Sequence, residues 1–540
     1  MNKANPTVLL GFFVAVIVAL CGAALIMGGF YIGKHEGDTF HLLQIVLRIA
    51  DGQVPHLDFM TPIGVMAFAP IALFVKLGYG IGMSILLSQT LMAVAFLPAV
   101  WWVAYSRMRG VLPYLFGLVI FVLLTALVHG ESQPSVSISM HYNRWAWAAA
   151  FIAICTAVIP AKEPVRPMVD GVIIGLAMAF LLLTKVTYFA AFAIPVLVAI
   201  IANKSSRAIP AVLVSGLAAM AVVTLLMGTG FWLAYLGDLL TVAGSETRSH
   251  PGESFGAVVG APAYIGASLV LIAGVVLLRQ AGQANGGLIL LLLTPGFFFV
   301  TYQNFGNDPQ WLLLLGVLLL AFLPEAGIRN GFGWDMRNAV KICALAAFSM
   351  TAPSFLNMAY SPFRHLNTEV EDYTELLPKS QKHSDIFTVS IRAIRADRQM
   401  LMPLEGSGLE EYAELLEEKT EPTVFKGETL PQCELMLGLT AWFDVIVTDL
   451  EQAGLADGKS IFAADLFSSH WLFGSLEPLK GGSPWYYGGL PGLADADYLL
   501  VPLCPILPKL RDQILTEVKE QGLEFDEIRR TPLYILFEPA

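Results

Sequence analysis

Charge is scarce in this sequence: 14% of its 540 residues are Asp, Glu, Lys or Arg, against 56% hydrophobic, and the mean hydropathy is +0.65. A chain this apolar and this long does not build one soluble core; it reads as a polytopic membrane protein. Cysteine is also sparse. The five residues Cys21, Cys155, Cys343, Cys433 and Cys504 show no CxxC or metal-type spacing. Three of them sit in apolar runs as small packing residues, which leaves Cys433 and Cys504 as the two able to pair in an oxidising compartment. No HExxH, Walker, GxSxG or EF-hand pattern occurs, so metalloprotease, NTPase and serine-hydrolase readings have no residues to stand on. Internal repeats, low-complexity tracts and coiled-coil heptads are missing too, and an inverted-repeat transporter gains no support. The charge that is present divides unevenly. Residues 1–355 hold 17 Lys+Arg and 13 Asp+Glu, whereas 356–540 hold 15 and 30. An acidic C-terminal portion argues against nucleic acid as a partner.

What the sequence has is long apolar runs. A helix needs roughly 20 apolar residues to span a bilayer, and runs near 8–30, 82–104, 111–129, 145–160, 168–184, 186–203, 208–228, 259–279, 287–301, 311–325 and 338–353 qualify by pattern. The first has the length of a retained spanning helix rather than a signal-peptide core. Arg107 and Arg109, Lys162 and Arg166, Lys204 and Arg207, Arg279, and Arg329, Arg337 and Lys341 fall in every second connection, which places those connections in the cytoplasm. The alternate connections, 31–81, 130–144, the Lys185 turn, 229–258 and 301–310, then face outward, together with everything after 353. The run at 62–78, "PIGVMAFAPIALFVKLG", breaks this count and is expected to be re-entrant or membrane-skimming, a form tolerated only where protein or water surrounds the backbone.

Beyond 355 the pattern changes. "SDIFTVSIRAIRADRQML", "WFDVIVTDLEQAG", "KSIFAADLF", "DYLLVPLCP" and "PLYILFEPA" read as strand-like runs, and an amphipathic helix is expected around 508–521. The expected fold is therefore a polytopic α-helical membrane protein of about 11–12 transmembrane helices. The domains are 1–355, with a first outer loop at 31–61, and a soluble α/β domain at 356–540 on the outer face.

Polar residues that interrupt this plan are the candidates for chemistry. In "HEGDTFHLLQIVLRIADG" Asp38 stands at an N-cap position before an amphipathic helix, with Glu36 beside it; a carboxylate fixed at a helix start is either a cap or a general base. Asp58, in "GQVPHLDFMTPIG", is a turn acid or a group that positions a polar acceptor. Arg144 follows His141, Tyr142 and Asn143 and precedes Trp145 and Trp147. It is either an interfacial anchor or, since an outward Arg runs against the positive-inside trend, a bidentate phosphate ligand. Lys185 lies inside an otherwise apolar stretch, where an ammonium costs a few kcal/mol unless paired or wet; it snorkels or binds an anionic lipid headgroup. "TYQNFGNDPQW" offers Tyr302 and Asn304 to sugar hydroxyls, or is ordinary turn chemistry.

Taken together, "HEGD" after a first helix, "ADGQVPHLDFMTPIG" closing an amphipathic helix, "PIALFVKLGYG" and "LTKVTY" resemble the GT-C superfamily of membrane glycosyltransferases over residues 1–355. The likeness is to the branch with the lipid A aminoarabinose transferases, protein O-mannosyltransferases and lipopolysaccharide sugar transferases. The resemblance implies a GT-C-like bundle that takes a sugar from a polyprenyl-phosphate donor on the outer side of the cell (inner) membrane, with an acid of the first outer loop as base. Two departures stand out: Glu36-Gly37-Asp38 replaces an Asp-Glu pair, and "MTPIG" replaces a "KPP"-like element. The second leaves Lys185, Arg144 or Lys34 to hold the donor phosphate.

On this reading Asp38 is the catalytic base, supported by Glu36, while Asp58, His141, Tyr302 and Asn304 bind substrate. The acceptor is a cell-envelope glycan, lipid or protein. No cofactor is required, although a divalent cation, Mg or Mn, held by the acids is compatible with the chemistry without support from spacing. The alternatives are a transporter or flippase for lipid-linked glycans, and a non-catalytic membrane scaffold.

Overall fold

The computed structural model describes residues 3–245, 256, 262–303, 309–395, 398–400, 405–411, 422–435 and 438–540. The chain divides into two compact units. The first comprises Met1–His35, Ile63–Thr229 and Ser249–Thr368; the second comprises Glu36–Pro62, Gly230–Arg248 and Glu369–Ala540. The boundary expected at 355 thus falls within a single helix, Met336–Leu366, which carries the first unit to Thr368.

The first unit is helical, and each of the eleven expected runs coincides with a helix. Among the described residues six helices are long and apolar enough to cross a membrane: Pro6–Leu25, Ile81–Arg107, Pro167–Thr184, Ser206–Met227, Ala284–Gln303 and Met336–Leu366. Shorter apolar helices include Leu112–Thr125, Val186–Ala202 and Trp311–Ala321. The helix His141–Val158 starts four residues before its apolar run, and every residue in it except Tyr142 is buried. A helix apolar on all sides belongs at the centre of its unit, and the alanines at 146, 148, 149, 150, 153 and 157 let its neighbours approach. Close approach also governs Pro167–Thr184 against Ile209–Met227. A Cβ on Gly171 would lie 2.3 Å from the Ala208 carbonyl oxygen, and one on Gly175 2.3 Å from that of Val212. Small residues four apart give membrane helices this backbone contact.

The segment 62–78 forms a short turn of helix, Val65–Ala67, followed by Ala69–Lys76. Eight residues rise about 12 Å, well short of a hydrocarbon core of about 30 Å. That length agrees with a re-entrant or skimming element and excludes a helical crossing.

In the second unit the amphipathic helix Glu36–Ala50 begins three residues earlier than the N-cap reading requires. Asp38 therefore sits inside the first turn rather than at the cap, still at the end where the helix dipole favours negative charge. Within the connection expected as an outer loop, 229–258, residues Gly230–Ala243 are helical, burying Phe231 and Tyr235. The sheet region has four strands in the order Phe525–Arg530, Tyr534–Pro539, Tyr498–Pro502, Ile461–Ala463; the last pair is parallel and the others antiparallel. The expected helix is Pro508–Glu520. "WFDVIVTDLEQ" is a correction: it is helical, Leu439–Gln452, and buries Trp442, Phe443, Ile446, Val447 and Leu450. That spacing is a helical period, which outweighed the β-branched residues. Cys433 and Cys504 form a disulfide with Cα atoms 4.9 Å apart, while Cys21, Cys155 and Cys343 are buried thiols.

Candidate functional site

Lys185 is the single residue between the helices Pro167–Thr184 and Val186–Ala202, and its backbone is extended (φ −154°, ψ 104°). A helix end leaves carbonyls without intrahelical donors. One of these, on Thr184, accepts a 3.1 Å hydrogen bond from Gly64 N–H. Glycine is required there because a Cβ on residue 64 would lie 2.1 Å from the Leu183 carbonyl oxygen. The short segment containing Gly64 is thus locked against the helix break.

The same segment is tied to a second helix end. Nε2 of His141 donates to the Ala67 carbonyl at 2.8 Å, so His141 holds the start of His141–Val158 against residue 67. Met140, just before it, takes a left-handed backbone (φ 51°) that non-glycine residues seldom adopt. From the first turn of this helix Asn143 presents Oδ1 to the Lys185 ammonium at 2.9 Å, and that ammonium lies 5.2 Å from the centre of the Tyr142 ring. Half-buried Lys185 thus meets Asn143 and the Tyr142 ring at the positive end of an 18-residue helix. A cation beside a helix N-terminus is an environment that favours an anion.

Arg144 sits one residue further on and is fully buried. Its guanidinium donates to the carbonyls of Ala126 (2.9 Å), His129 (3.3 Å) and Ser139 (3.4 Å), while Nε has no partner. It shapes the wall formed by residues 126–139. That wall is pinned from the other side by the helix Met336–Leu366: Ser354 donates to the Gly130 carbonyl at 3.0 Å, Asn357 to that of Glu131 at 2.7 Å, and Ser361 accepts from Leu127 N–H at 2.8 Å. Lys34 is neutralised by Glu131 at 2.5 Å and also donates to Gln133. His35 shares a 2.9 Å hydrogen bond with Ser137 and its ring centre is 4.9 Å from that of His129. Burial, then the charges of His35, Arg144 and Lys34, push the His129 imidazole down to about 3, so it stays neutral across the physiological range. Tyr302 is half-buried at the end of Ala284–Gln303; Asn304 lies outside the described residues.

The acidic candidates belong to the second unit. Glu36 is buried and receives a two-pronged pair from Arg392, Nε to Oε1 at 2.5 Å and Nη2 to Oε2 at 2.7 Å, with the Thr388 hydroxyl donating at 3.1 Å. Burial would raise the Glu36 carboxyl, but the hydrogen bonds and charge of Arg392, the helix-start N–H and Thr388 outweigh it and hold it below its ordinary value. Such a carboxylate is a poor base and a good structural tie. Because the folded value is the lower one, the tie contributes stability above the unfolded carboxyl value of about 4.3 and loses it as pH falls through the folded value. Replacing Arg392 by Met is expected to cost about 1–3 kcal/mol at neutral pH, less than a fully buried pair because the Arg392 side chain is 35% exposed. The gap in melting midpoint between wild type and variant should narrow as pH falls from 7 past about 4.3 toward the lower folded value; a constant gap would discard this assignment.

Asp58 accepts from Val54 N–H at 2.6 Å and closes its own turn, while its carbonyl accepts from Gly481 N–H at 2.9 Å. Asp38 is half-buried in the first turn of its helix. Gln44, one turn and a half further along, is the residue this stretch conceals in sequence. Its side chain bonds the Ser468, Ser469 and Trp471 side chains and the Pro484 carbonyl at 2.9–3.2 Å. His129, Glu131 and Arg392 were likewise not singled out. The first two lie in an outer loop where neighbouring His and Glu residues gave a weak signal; Arg392 gave none.

The structure therefore brings Lys185, Asn143, His141 and Arg144 together within the first unit, and places Glu36, Asp38 and Asp58 within the second. Among the described residues no three His, Cys, Asp or Glu side chains gather as a cation site. Comparison of the chain with protein-family models, with curated proteins and with solved structures finds no match.

Proposed function

We propose that this chain is an integral membrane glycosyltransferase of GT-C type. It moves a sugar from a polyprenyl-phosphate carrier to a glycan, lipid or protein acceptor of the cell envelope, on the outer side of the inner membrane. The observation that carries the reading is the half-buried Lys185 ammonium, set in a helix break beside Asn143 at the positive start of an 18-residue helix. A lipid-linked phosphate is an anion whose tail belongs in the surrounding apolar phase, and this is a position for its head. The Cys433–Cys504 disulfide supports an oxidising compartment for the C-terminal region, and the six helices long and apolar enough to cross, with shorter apolar helices besides, support a polytopic bundle among the described residues.

In the reaction, Asp38 takes the proton of the acceptor hydroxyl as the acceptor oxygen bonds to the sugar's anomeric carbon. The bond from that carbon to the phosphate oxygen breaks, with inversion, and the electron pair leaves on the polyprenyl phosphate. Lys185 stabilises the charge that develops there. Glu36 keeps its tie to Arg392 and serves as support for the first turn that carries Asp38.

The test is release of polyprenyl phosphate from a labelled polyprenyl-phosphate sugar by the full chain in membranes. Asp38→Asn should lower kcat by about 10²-fold or more, and Lys185→Met should raise the KM for the donor. Undiminished release with Asp38→Asn would overturn the base assignment, and transbilayer movement of an uncleaved donor would favour the flippase reading.

A further inference from the structure

A cavity of about 550 Å³ lies at the opposite, basic end of the first unit, where the ends of His141–Val158, Val186–Ala202, Pro262–Gln280 and Trp311–Ala321 meet the start of Ala284–Gln303. Among the described residues no acidic side chain lines it. Its polar lining is Lys162, Asn203, Gln283 and Asn285, and its apolar lining includes Ile289 and Phe322. The Lys162 ammonium and the Gln283 and Asn285 amides hold no hydrogen bond or ion pair among the described residues. Asn203 uses its NH₂ on the carbonyls of Ala157 and Val158, at 2.8 and 2.9 Å, which leaves its own oxygen unused. The N–H groups of Ala284, Asn285 and Gly286 open a 20-residue helix and have no intrahelical acceptor; the first ladder bond runs from Gly287 N–H to the Gln283 carbonyl. Partial burial and the charge of Arg109 push the Lys162 ammonium below its ordinary value; Lys162 and Asn285 are exposed at the cavity and Gln283 is half-buried. Its neighbour Arg109 spends its guanidinium on the Tyr105 and Met108 carbonyls.

We infer that this cavity binds the phosphodiester headgroup of an anionic phospholipid from the leaflet at the basic end of the bundle. Phosphate oxygens accept from Lys162, from the Gln283 and Asn285 amides and from the helix-start N–H groups, while the glycerol and upper acyl chain lie against Ile289 and Phe322. The lining combines these donors with the apolar side chains of Ile289, Ala321, Phe322 and Leu323, which suits a lipid, with its polar head and apolar chain, better than a free ion. Membrane proteins use basic pockets between helix ends for this purpose. The site is independent of the transfer reaction proposed above.

Native mass spectrometry of the full chain in detergent tests it, titrating phosphatidylglycerol, phosphatidylcholine and inorganic phosphate separately. Phosphatidylglycerol should bind about five- to tenfold more tightly than phosphatidylcholine. Lys162→Glu should abolish that preference, whereas Lys341→Glu, the same charge change outside the cavity, should leave it within about twofold. Equal binding of the two lipids by wild type, or equal losses in both variants, would overturn the proposal. Inorganic phosphate binding with the same Lys162 dependence, and no lipid preference, would replace the lipid with a free anion. A thermal midpoint for Lys162→Glu matching wild type shows that the loss is of binding and not of fold.

Discussion

Gly64→Ala is expected to be among the most damaging single-methyl changes in the protein. The added Cβ would stand 2.1 Å from the Leu183 carbonyl oxygen and 3.0 Å from Thr184 N, and both obstacles are backbone. A flexible side chain could swing aside; a helix end that also accepts the Gly64 N–H cannot do so without breaking that bond. Overpacking typically costs about 1–3 kcal/mol, and a clash with rigid backbone belongs at or above the top of that range. Residue 64 would move away from the break at Lys185, so on the proposed transferase reading the donor KM should rise even where protein survives. Gly11→Ala is the control: it lies inside Pro6–Leu25, a Cβ there meets nothing within 4 Å, and alanine should gain up to about 1 kcal/mol over glycine in a helix interior. Thermal melts in detergent read both. Equal midpoints for Gly64→Ala and wild type would mean that the segment is not held as described.

Arg144→Met should produce the second large loss. The guanidinium satisfies three buried carbonyls of the wall, and each oxygen left bare costs about 1–3 kcal/mol. These terms do not add fully, and a total of about 3–5 kcal/mol is expected, the scale seen when a buried charged group is removed from its partners. Arg144→Lys should fall between, because an ammonium on one point cannot span the three acceptors that a planar fork reaches. The measurement separates two roles of this residue. A structural arginine gives a lower melting midpoint in Met and Lys variants alike; a phosphate ligand gives an unchanged midpoint and a raised donor KM. The second pattern would return Arg144 to the donor site.

Much of the first unit was legible because membrane helices are written locally. Each needs its own apolar run, whatever its neighbours do, and all eleven runs are helical. Lys185 was legible for the same reason: an ammonium inside an apolar stretch stands out without knowledge of what it meets. The second unit was harder. "WFDVIVTDLEQ" carries β-branched residues and a helical period at once, and packing of one face decided for helix. Gly230–Ala243 is apolar but only 14 residues long, too short to stand out as a spanning run, and it meets partners such as His56, 2.8 Å from Asp238. The Glu36–Arg392 pair joins residues 356 apart, a separation at which sequence offers no hint of pairing.

By itself the sequence determined where the apolar helices run, including six long and apolar enough to cross a membrane, which end of the bundle is basic, and which acids and cations stand out against that background. These are properties of short windows, set by hydropathy and by the cost of charge in an apolar phase. Only the tertiary structure decided which of those groups are committed. Glu36 is spoken for by Arg392, Asp58 by its own turn, Lys34 by Glu131, Arg144 by three carbonyls, and Lys185 donates to Asn143 in a break held by Gly64. Commitment depends largely on which backbone and side-chain atoms arrive from distant parts of the chain within hydrogen-bonding distance, and no local pattern encodes that arrival.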